Sequence, residues 1–319
     1  MAVYTQVSAE PMAALLARYD AGTLVSAKGI AEGVENSNYL VDTTGGRFIL
    51  TLYEKRVDAA DLPFFLALLD HLADRGLPVP RALRDRDGVQ IQEVAGRPAC
   101  LIEFLPGISV LHPSPAQAHA TGAALGRMHA ALADFPLSRP NTLGLEGWHA
   151  LADRCAGDLD GISPGLGERV AQERAVLDAN WPHNLPRSAI HADLFPDNVL
   201  MRGDTVAGII DFYLACTDLR AWDVAVTHSA WCFDGDGRGY RPELGAALLA
   251  GYAAAHGLSA EERAALPILL CGACLRFLLT RAWDWLNTPA DALVTRKDPL
   301  AFLRRLDFYR DASPETIGL

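Results

Sequence analysis

The spacing of apolar residues changes near residue 105. Before it, short alternating stretches predict antiparallel strands, which lie at 23–30, 37–42, 47–53, 90–94 and 99–104. Helical repeats at 11–19 and 58–75 accompany them. Beyond it, longer segments predict helices, which lie at 115–134, 148–159, 166–181, 221–231, 244–256, 259–279 and 299–311. This order predicts an α+β chain with a β-rich lobe at 1–104 and a mainly helical lobe at 105–319.

Composition is that of a soluble globular protein, since half of the 319 residues are apolar and 21% are charged. The net charge of −11 disfavours nucleic acid and anionic membranes as partners. The N-terminus lacks the features of a signal peptide, and we expect no membrane span and a cytoplasmic location. Cys271 and Cys274 form a CxxC inside an apolar run, which predicts buried thiols rather than a metal or redox site.

The chemically informative stretch is IHADLFPDNVLMRGDTVAGIIDF, residues 190–212. His191, Asp193 and Asn198 follow the pattern H-x-D-x4-N, and an apolar strand at 206–210 then leads to Asp211. Phosphoryl transfer requires a carboxylate that orients the attacking hydroxyl and oxygen ligands that hold Mg²⁺ on the phosphates. A single loop aspartate is usually only solvated, but these residues in this order indicate a phosphotransferase loop.

HADLFPDN and IIDF resemble the aminoglycoside phosphotransferase and choline kinase branch of the protein-kinase-like fold. The resemblance covers nearly the whole chain and includes VENSNYLV, GLPVP, LIEFLPG and LGRMHAAL. Within that branch, GIAEGVENSNYLVDT, FILTLYEKR and RFLLTRAWDWL are most similar to the homoserine kinases built on this fold. The resemblance implies a bilobal kinase that uses ATP and Mg²⁺ to convert L-homoserine to O-phosphohomoserine for threonine synthesis.

The resemblance also implies roles for individual residues. Asp193 accepts or orients the hydroxyl proton, and Asn198 and Asp211 hold Mg²⁺. His191 braces the loop by hydrogen bonding. Nucleotide contacts are implied for backbone groups of two sets of residues, which are Glu103 and Leu105 at the adenine edge and Gly33, Asn36, Ser37 and Asn38 over the phosphates.

One departure from the family pattern concerns the phosphate-holding lysine. Related kinases carry it in the third strand, where this chain has Thr51. The candidate replacements are Lys28, in the strand before the covering loop, and Lys55, just past the end of the third strand. Either lysine can equally be a solvated surface residue.

An amino-acid acceptor requires an acid for its ammonium group and a cation for its carboxylate. Arg281 and Asp284 are three residues apart and share a face of the predicted helix at 272–286. They either bind the zwitterion or form a structural ion pair. Tyr213 and Asp218 are further pocket candidates, and Asp223 is interpreted as a structural brace.

Two other functions are compatible with the sequence. A kinase of the same fold can act on an aminoglycoside, choline or methylthioribose, although Arg276 and Arg281 favour a carboxylate-bearing acceptor. A non-catalytic nucleotide-binding pseudokinase is suggested by Thr51, but the complete set of Asp193, Asn198 and Asp211 disfavours it. The sequence leaves the oligomeric state open.

Overall fold

The computed structural model describes residues 4–30, 36–54, 57–288 and 296–319. The chain divides into two compact units, of which the first comprises Met1–Pro106 and Gly208–Tyr213. The second comprises Gly107–Ala207 and Leu214–Leu319. The division predicted at residue 104 remains a prediction, and the predicted α+β class is confirmed.

The first unit is a five-stranded antiparallel sheet with two helices. Its elements are α1 (Ala9–Leu16), β1 (Leu24–Gly29), β2 (Ser37–Thr43), β3 (Gly46–Leu52), α2 (Leu62–Asp74), β4 (Gln92–Val94) and β5 (Arg97–Glu103). The strand order is β1-β2-β3-β5-β4. One face of the sheet carries Tyr39, Leu50 and Leu101, which join Met12 and Leu16 of α1 in a buried core.

The opposite face of this sheet carries the position where related kinases have their lysine. Asn38 pairs with Thr51, and Thr51 donates a hydrogen bond to Asn38 Oδ1 at 2.7 Å. Lys28 pairs with Leu40, which pairs in turn with Ile49. Because paired residues in antiparallel strands project to the same side, Lys28 and Thr51 lie on one face of the sheet.

The second unit is mainly helical, as the spacing predicts. Its helices are α3 (Pro115–Ala131), α4 (Leu145–Cys155), α5 (Leu159–Ile162), α6 (Leu166–Asn180), α7 (Arg220–Trp231), α8 (Pro242–Ala255), α9 (Ala260–Asn287) and α10 (Leu300–Asp311). The strands β6 (Arg187–Ile190) and β9 (Cys216–Leu219) pair antiparallel, and β7 (Val199–Arg202) pairs with β8 (Thr205–Ile209). Strand β9 has no counterpart among the predicted elements, because a four-residue strand is too short to show periodicity.

Helix α9 is a single 28-residue helix where the sequence suggests two overlapping segments. It begins with a capping box between Ser259 and Glu262. An 18-residue window of this helix has a mean hydropathy of 1.6, so by length and composition alone the helix could cross a membrane, contrary to the expectation of no such segment. However, 67% of the relevant window is buried inside the protein, as in the core helix of a soluble fold. Cys271 and Cys274 are free and buried in this helix, which confirms the interpretation of the CxxC.

A buried histidine fixes the C-terminal segment to α7. His228 Nδ1 lies 2.7 Å from the Tyr309 hydroxyl, and Nε2 lies 3.2 Å from the carbonyl oxygen of Ile317. A neutral ring that donates from Nε2 and accepts at Nδ1 satisfies both partners. Burial lowers the pKa of His228 to about 4, so the folded protein holds this ring uncharged at neutral pH.

This pair of contacts makes stability depend on pH. The unfolded chain binds a proton at His228 near pH 6.5, whereas the folded protein does so only near pH 4. Stability is therefore present above the unfolded pKa and is lost as pH falls from about 6.5 to about 4. Between pH 7 and pH 5, the free energy of unfolding should fall by about 2 kcal/mol less in His228→Gln than in the wild type. Urea denaturation at the two pH values measures this difference. The exposed His112 provides the control, and equal pH slopes in His228→Gln and His112→Gln would contradict the assignment.

Candidate active site

The H-x-D-x4-N residues form a loop, residues 191–198, between β6 and β7, and we call it the catalytic loop. Its last residues, Pro196–Asn198, form one turn of 3₁₀ helix. Ala192 has a φ of 63°, a left-handed conformation that is uncommon for a residue with a side chain. Such a conformation persists only where surrounding contacts enforce it.

The N–H groups at the start of the catalytic loop are held by one carboxylate. Asp223 of α7 accepts hydrogen bonds from His191 N at 2.8 Å and from Ala192 N at 2.7 Å. His129 of α3 lies 3.1 Å from the same carboxylate and is bound on its other side by the Tyr252 hydroxyl. Burial acts to raise the pKa of Asp223, but the hydrogen bond and charge of His129 and the His191 N–H lower it below its usual value. Asp223 is a structural brace, as the sequence predicts, but it holds the catalytic loop rather than its own helix. His129 is a buried histidine that supports this carboxylate.

Side chains also hold the carbonyl groups of Ala192, Asp193 and Leu194. Arg276 of α9 donates to the carbonyl oxygen of Ala192. Asn198 Nδ2 donates to the carbonyl oxygen of Asp193 at 2.8 Å. Trp231 Nε1 of α7 donates to the carbonyl oxygen of Leu194 at 2.9 Å. The backbone of the loop is therefore fixed by its own Asn198 and by two helices of the core.

The Asp193 carboxylate is half-buried within this framework. Asn198 Nδ2 lies 3.3 Å from Oδ2, and Arg276 Nη2 lies 3.8 Å from Oδ1. Burial raises the pKa of Asp193 above its usual value, and the Arg276 charge opposes this rise. Asp197 raises it further, while Lys297 lowers it. A carboxylate with a raised pKa is better suited to accept a proton than a solvated aspartate.

Asn198 and Asp211 each present an oxygen that suits a hard divalent cation. Both donor positions of Asn198 Nδ2 face Asp193, so its Oδ1 points the other way. Asp211 is exposed and has a φ of 65°, again the left-handed region. The described residues contain no cluster of three or more His, Cys, Asp or Glu side chains able to hold a metal. The assignment of Asn198 and Asp211 as Mg²⁺ ligands stays a prediction.

Arg281, a predicted pocket residue, is close enough to the catalytic loop for its charge to interact with Asp193. It donates to the carbonyl oxygen of Asp298 at 3.2 Å and lies 4.5 Å above the Phe302 ring. Burial and the nearby Arg305 lower its pKa to about 10, so it remains charged at neutral pH. Its predicted partner Asp284 is half-buried, nearly one helical turn further along α9.

The other two pocket candidates are engaged in internal contacts. The Tyr213 ring packs edge-on against Tyr53 at 5.4 Å and Phe65 at 5.8 Å. Burial raises the pKa of Tyr213. Asp218 is buried in β9 and accepts a hydrogen bond from Asn141 at 2.7 Å. Asp218 is therefore a structural acceptor, while the role of Tyr213 stays a prediction.

Several predicted nucleotide residues lie at the ends of strands in the first unit. Ser37 is fully buried and donates to Glu54 at 2.7 Å, and Asn36 accepts from Glu54 N at 3.2 Å. Their side chains are thus used internally, and their contacts with a nucleotide stay a prediction. Glu103 ends β5 and accepts from Arg81 N at 3.1 Å.

The remaining nucleotide candidates are Leu105, Lys28, Gly33 and Lys55. Leu105 lies just beyond β5 and is half-buried. Lys28 is exposed on β1. Gly33 and Lys55 lie outside the described residues. These assignments all stay predictions.

The sequence predicts an acceptor contact for Arg276 and no role for Trp231, whereas both side chains hold the catalytic loop. The available signal for Arg276 is a lone cation within the apolar run 266–279, where a charge must have a partner. No comparable signal exists for Trp231, because an apolar helix face accounts for a buried tryptophan equally well.

Residues 26–266 match the phosphotransferase enzyme family, so the chain belongs to that family. Within it, the chain is 56% identical to a homoserine kinase of Zymomonas mobilis subsp. mobilis over 320 residues, which cover 100% of both proteins. It is 53% identical to a homoserine kinase of Xanthobacter autotrophicus over 310 residues, 97% of this chain and 96% of that protein. The predicted family resemblance is therefore confirmed.

The fold also matches that of a solved kinase. The structure of amicoumacin kinase hAmiN in complex with AMP-PNP, Ca²⁺ and Ami aligns with a TM-score of 0.70 at 16% identity. The alignment covers 97% of this chain and 95% of that one. The likeness confirms the predicted kinase fold.

The Asp223 contacts predict a large loss of stability on Asp223→Asn. An amide can accept at one atom only, so a loop N–H and His129 lose a buried charged partner. We expect the free energy of unfolding to fall by about 3–5 kcal/mol, measured by urea denaturation at pH 7.

Asp178, which pairs with His149 at 2.7 Å on the surface, provides the matched control. Asp178→Asn should change the free energy of unfolding by less than about 1 kcal/mol. Losses of similar size in both variants would show that Asp223 is not the main support of the catalytic loop.

Proposed function

We propose that this protein is an ATP-dependent kinase that phosphorylates the side-chain hydroxyl of L-homoserine. The products are O-phosphohomoserine and ADP, and the phosphorylated amino acid serves threonine synthesis. The observation that carries the proposal is full-length identity of 56% to a homoserine kinase, together with a complete set of Asp193, Asn198 and Asp211. The relatives' names agree with the function predicted from the sequence.

In the proposed mechanism, Asp193 orients the homoserine hydroxyl and accepts its proton. The hydroxyl oxygen then forms a bond to the γ-phosphorus, and the bond from that phosphorus to the bridging oxygen of ADP breaks. The half-buried position of Asp193 and its raised pKa support its role as the proton acceptor. The side chains that hold the loop backbone fix the carboxylate before substrate arrives, which reduces the reorganisation needed at the transition state.

Asn198 and Asp211 supply the oxygen ligands for Mg²⁺. When bound, this ion neutralises charge on the phosphate oxygens. The nucleotide is held at the adenine edge by backbone groups of Glu103 and Leu105. Its phosphates are covered by the loop that contains Gly33 and by backbone groups of Asn36, Ser37 and Asn38.

Lys28 is our candidate for the cation that replaces the strand lysine absent at Thr51. It is the described lysine that shares a sheet face with Thr51, and its exposure leaves the ammonium group able to reach an anion. A flexible lysine acts as a point charge on phosphate, so it does not need the same backbone position as the family lysine.

The acceptor is held as a zwitterion. Arg281 binds its carboxylate, and Asp284 binds its ammonium group. Arg281 is the better anion ligand of the two arginines near Asp193, because Arg276 is fully buried and donates to the loop backbone. Tyr213 remains a weaker candidate, because its ring is packed against Tyr53 and Phe65.

We infer a cytoplasmic enzyme. The cysteines described in the structure are free and buried, which suits a reducing compartment. The substrates ATP and an amino acid require neither a membrane nor nucleic acid.

An acceptor panel tests the proposal. ADP formation is followed with ATP, Mg²⁺ and one of four acceptors, namely L-homoserine, choline, methylthioribose and kanamycin. We expect turnover with L-homoserine and at least about 100-fold lower kcat/KM with the other three, because they lack the amino-acid carboxylate that Arg281 binds. Strong turnover with another acceptor and none with L-homoserine would contradict the substrate assignment. Absence of turnover with all four would favour a pseudokinase.

Arg281→Met separates acceptor recognition from nucleotide binding. It should raise KM for L-homoserine by about 10–100-fold, because a charge-assisted hydrogen bond is lost, and leave KM for ATP within about threefold. Arg241, an exposed arginine paired with Glu243, is the control, and Arg241→Met should change neither constant. An unchanged KM for L-homoserine in Arg281→Met would remove this residue from the pocket.

A further inference from the structure

Arg276 is a buried cation that binds the backbone of the catalytic loop and also lies beside the Asp193 carboxylate. Its side chain is 2% exposed, in the middle of an apolar stretch of α9. We propose that Arg276 is a positioning residue that sets the direction of the Asp193 carboxylate toward the acceptor hydroxyl. The proposal rests on the function proposed above, in which Asp193 receives the hydroxyl proton.

One guanidinium group contacts both the backbone of the catalytic loop and the Asp193 carboxylate. Arg276 Nη1 donates to the carbonyl oxygen of Ala192, and Nη2 lies 3.8 Å from Asp193 Oδ1. One rigid fork therefore spans a peptide carbonyl and the carboxylate of the next residue. A planar guanidinium can fix both at a defined angle, whereas an ammonium group on a flexible chain cannot.

The Arg276 guanidinium group also helps to fix the conformation of Ala192. Asp223 holds the N–H of Ala192 from α7, and Arg276 holds its carbonyl from α9. The left-handed φ of 63° is thus maintained by charged side chains on both sides of one residue. Relaxation of that φ would turn the peptide that leads to Asp193 and would move its carboxylate.

The remaining charges near Asp193 are not equivalent to Arg276. Lys297 is exposed, and it lies 3.7 Å from Asp197. Arg281 is bound to the carbonyl of Asp298 and is stacked on Phe302. Asp197 is negatively charged, so it repels the Asp193 carboxylate rather than binding it. Of these groups, Arg276 alone combines a contact to the loop backbone with one to the Asp193 carboxylate.

A second buried arginine shows what a purely structural role looks like. Arg305 of α10 is 3% exposed and donates to the carbonyl oxygens of Ser229 at 2.7 Å and Asp234 at 3.2 Å. It contributes to the core as Arg276 does, but the two carbonyl groups that it binds lie outside the catalytic loop. Substitutions at the two positions should therefore affect stability alike and catalysis differently.

The test compares Arg276→Gln, Arg276→Lys, Arg305→Gln and Asp193→Asn in the full chain, with kcat, KM and thermal unfolding measured for each. Arg276→Gln should lower kcat about 100-fold, since a shift of about 1 Å in a catalytic group has that effect. Its KM values for ATP and L-homoserine should stay within about threefold, because the variant loses an orientation rather than a ligand contact. Arg276→Lys should recover about tenfold in kcat, since an ammonium group replaces one of the two contacts.

Arg305→Gln should lower the unfolding temperature at least as much as Arg276→Gln and leave kcat within about threefold of the wild type. Wild-type kcat in folded Arg276→Gln, or no recovery in Arg276→Lys, would overturn the proposal. If Arg276→Gln does not fold, the kcat of Arg276→Lys decides alone, with a decrease of about tenfold supporting the role and wild-type kcat refuting it. Turnover in Asp193→Asn at the wild-type rate would instead contradict the proposed base, so the two failures are distinguishable.

Discussion

The hydrogen bonds from the His191 and Ala192 N–H groups to the buried Asp223 carboxylate are the interaction on which the site depends. A charged group in the core is stable only when its partners are complete, and here two N–H groups and His129 provide them. The same bonds hold Ala192 in a left-handed conformation and so set the course of the chain into Asp193. The same hydrogen bonds therefore stabilise the core and set the geometry of the catalytic loop.

Four helices of the second unit supply the side chains that form these contacts. Helix α3 supplies His129, α7 supplies Asp223 and Trp231, and α9 supplies Arg276. Helix α8 supplies Tyr252, which binds the other nitrogen of His129. Close packing of α3 on α8 depends on glycine, because a Cβ at Gly122 would collide with the carbonyl oxygen of Leu248. A small residue far from the chemistry thus helps to hold the loop that performs it.

Much of this could be predicted from the sequence, for a physical reason. Periodicity reports which face of an element is buried, so β2, β3, α2 and α3 lie within a few residues of their predicted positions. The motif around Asp193 was informative because kinase chemistry needs those groups in that order. Asp223 could be recognised as a brace, since a carboxylate on an apolar helix must have partners inside.

The rest could not be predicted, because it depends on contacts between residues far apart in the chain. Strands β6 and β9 are four residues each and exist through their mutual pairing, which no local pattern shows. Arg276 lies 84 positions from the carbonyl that it binds, and the apolar run 266–279 does not reveal which loop its single charge faces. The cation that binds the triphosphate could not be predicted either, because tertiary structure determines which side chains can reach the phosphates.

The most direct test of the account is the rate of phosphoryl transfer itself in Asp193→Ala. Rapid-quench single-turnover experiments with γ-labelled ATP and L-homoserine isolate this step from product release. The account predicts a folded variant with wild-type affinity for ATP in which transfer is about 10³-fold slower. Transfer by the folded variant at the wild-type rate would contradict the assignment of Asp193, and with it the role of the structure that holds the catalytic loop.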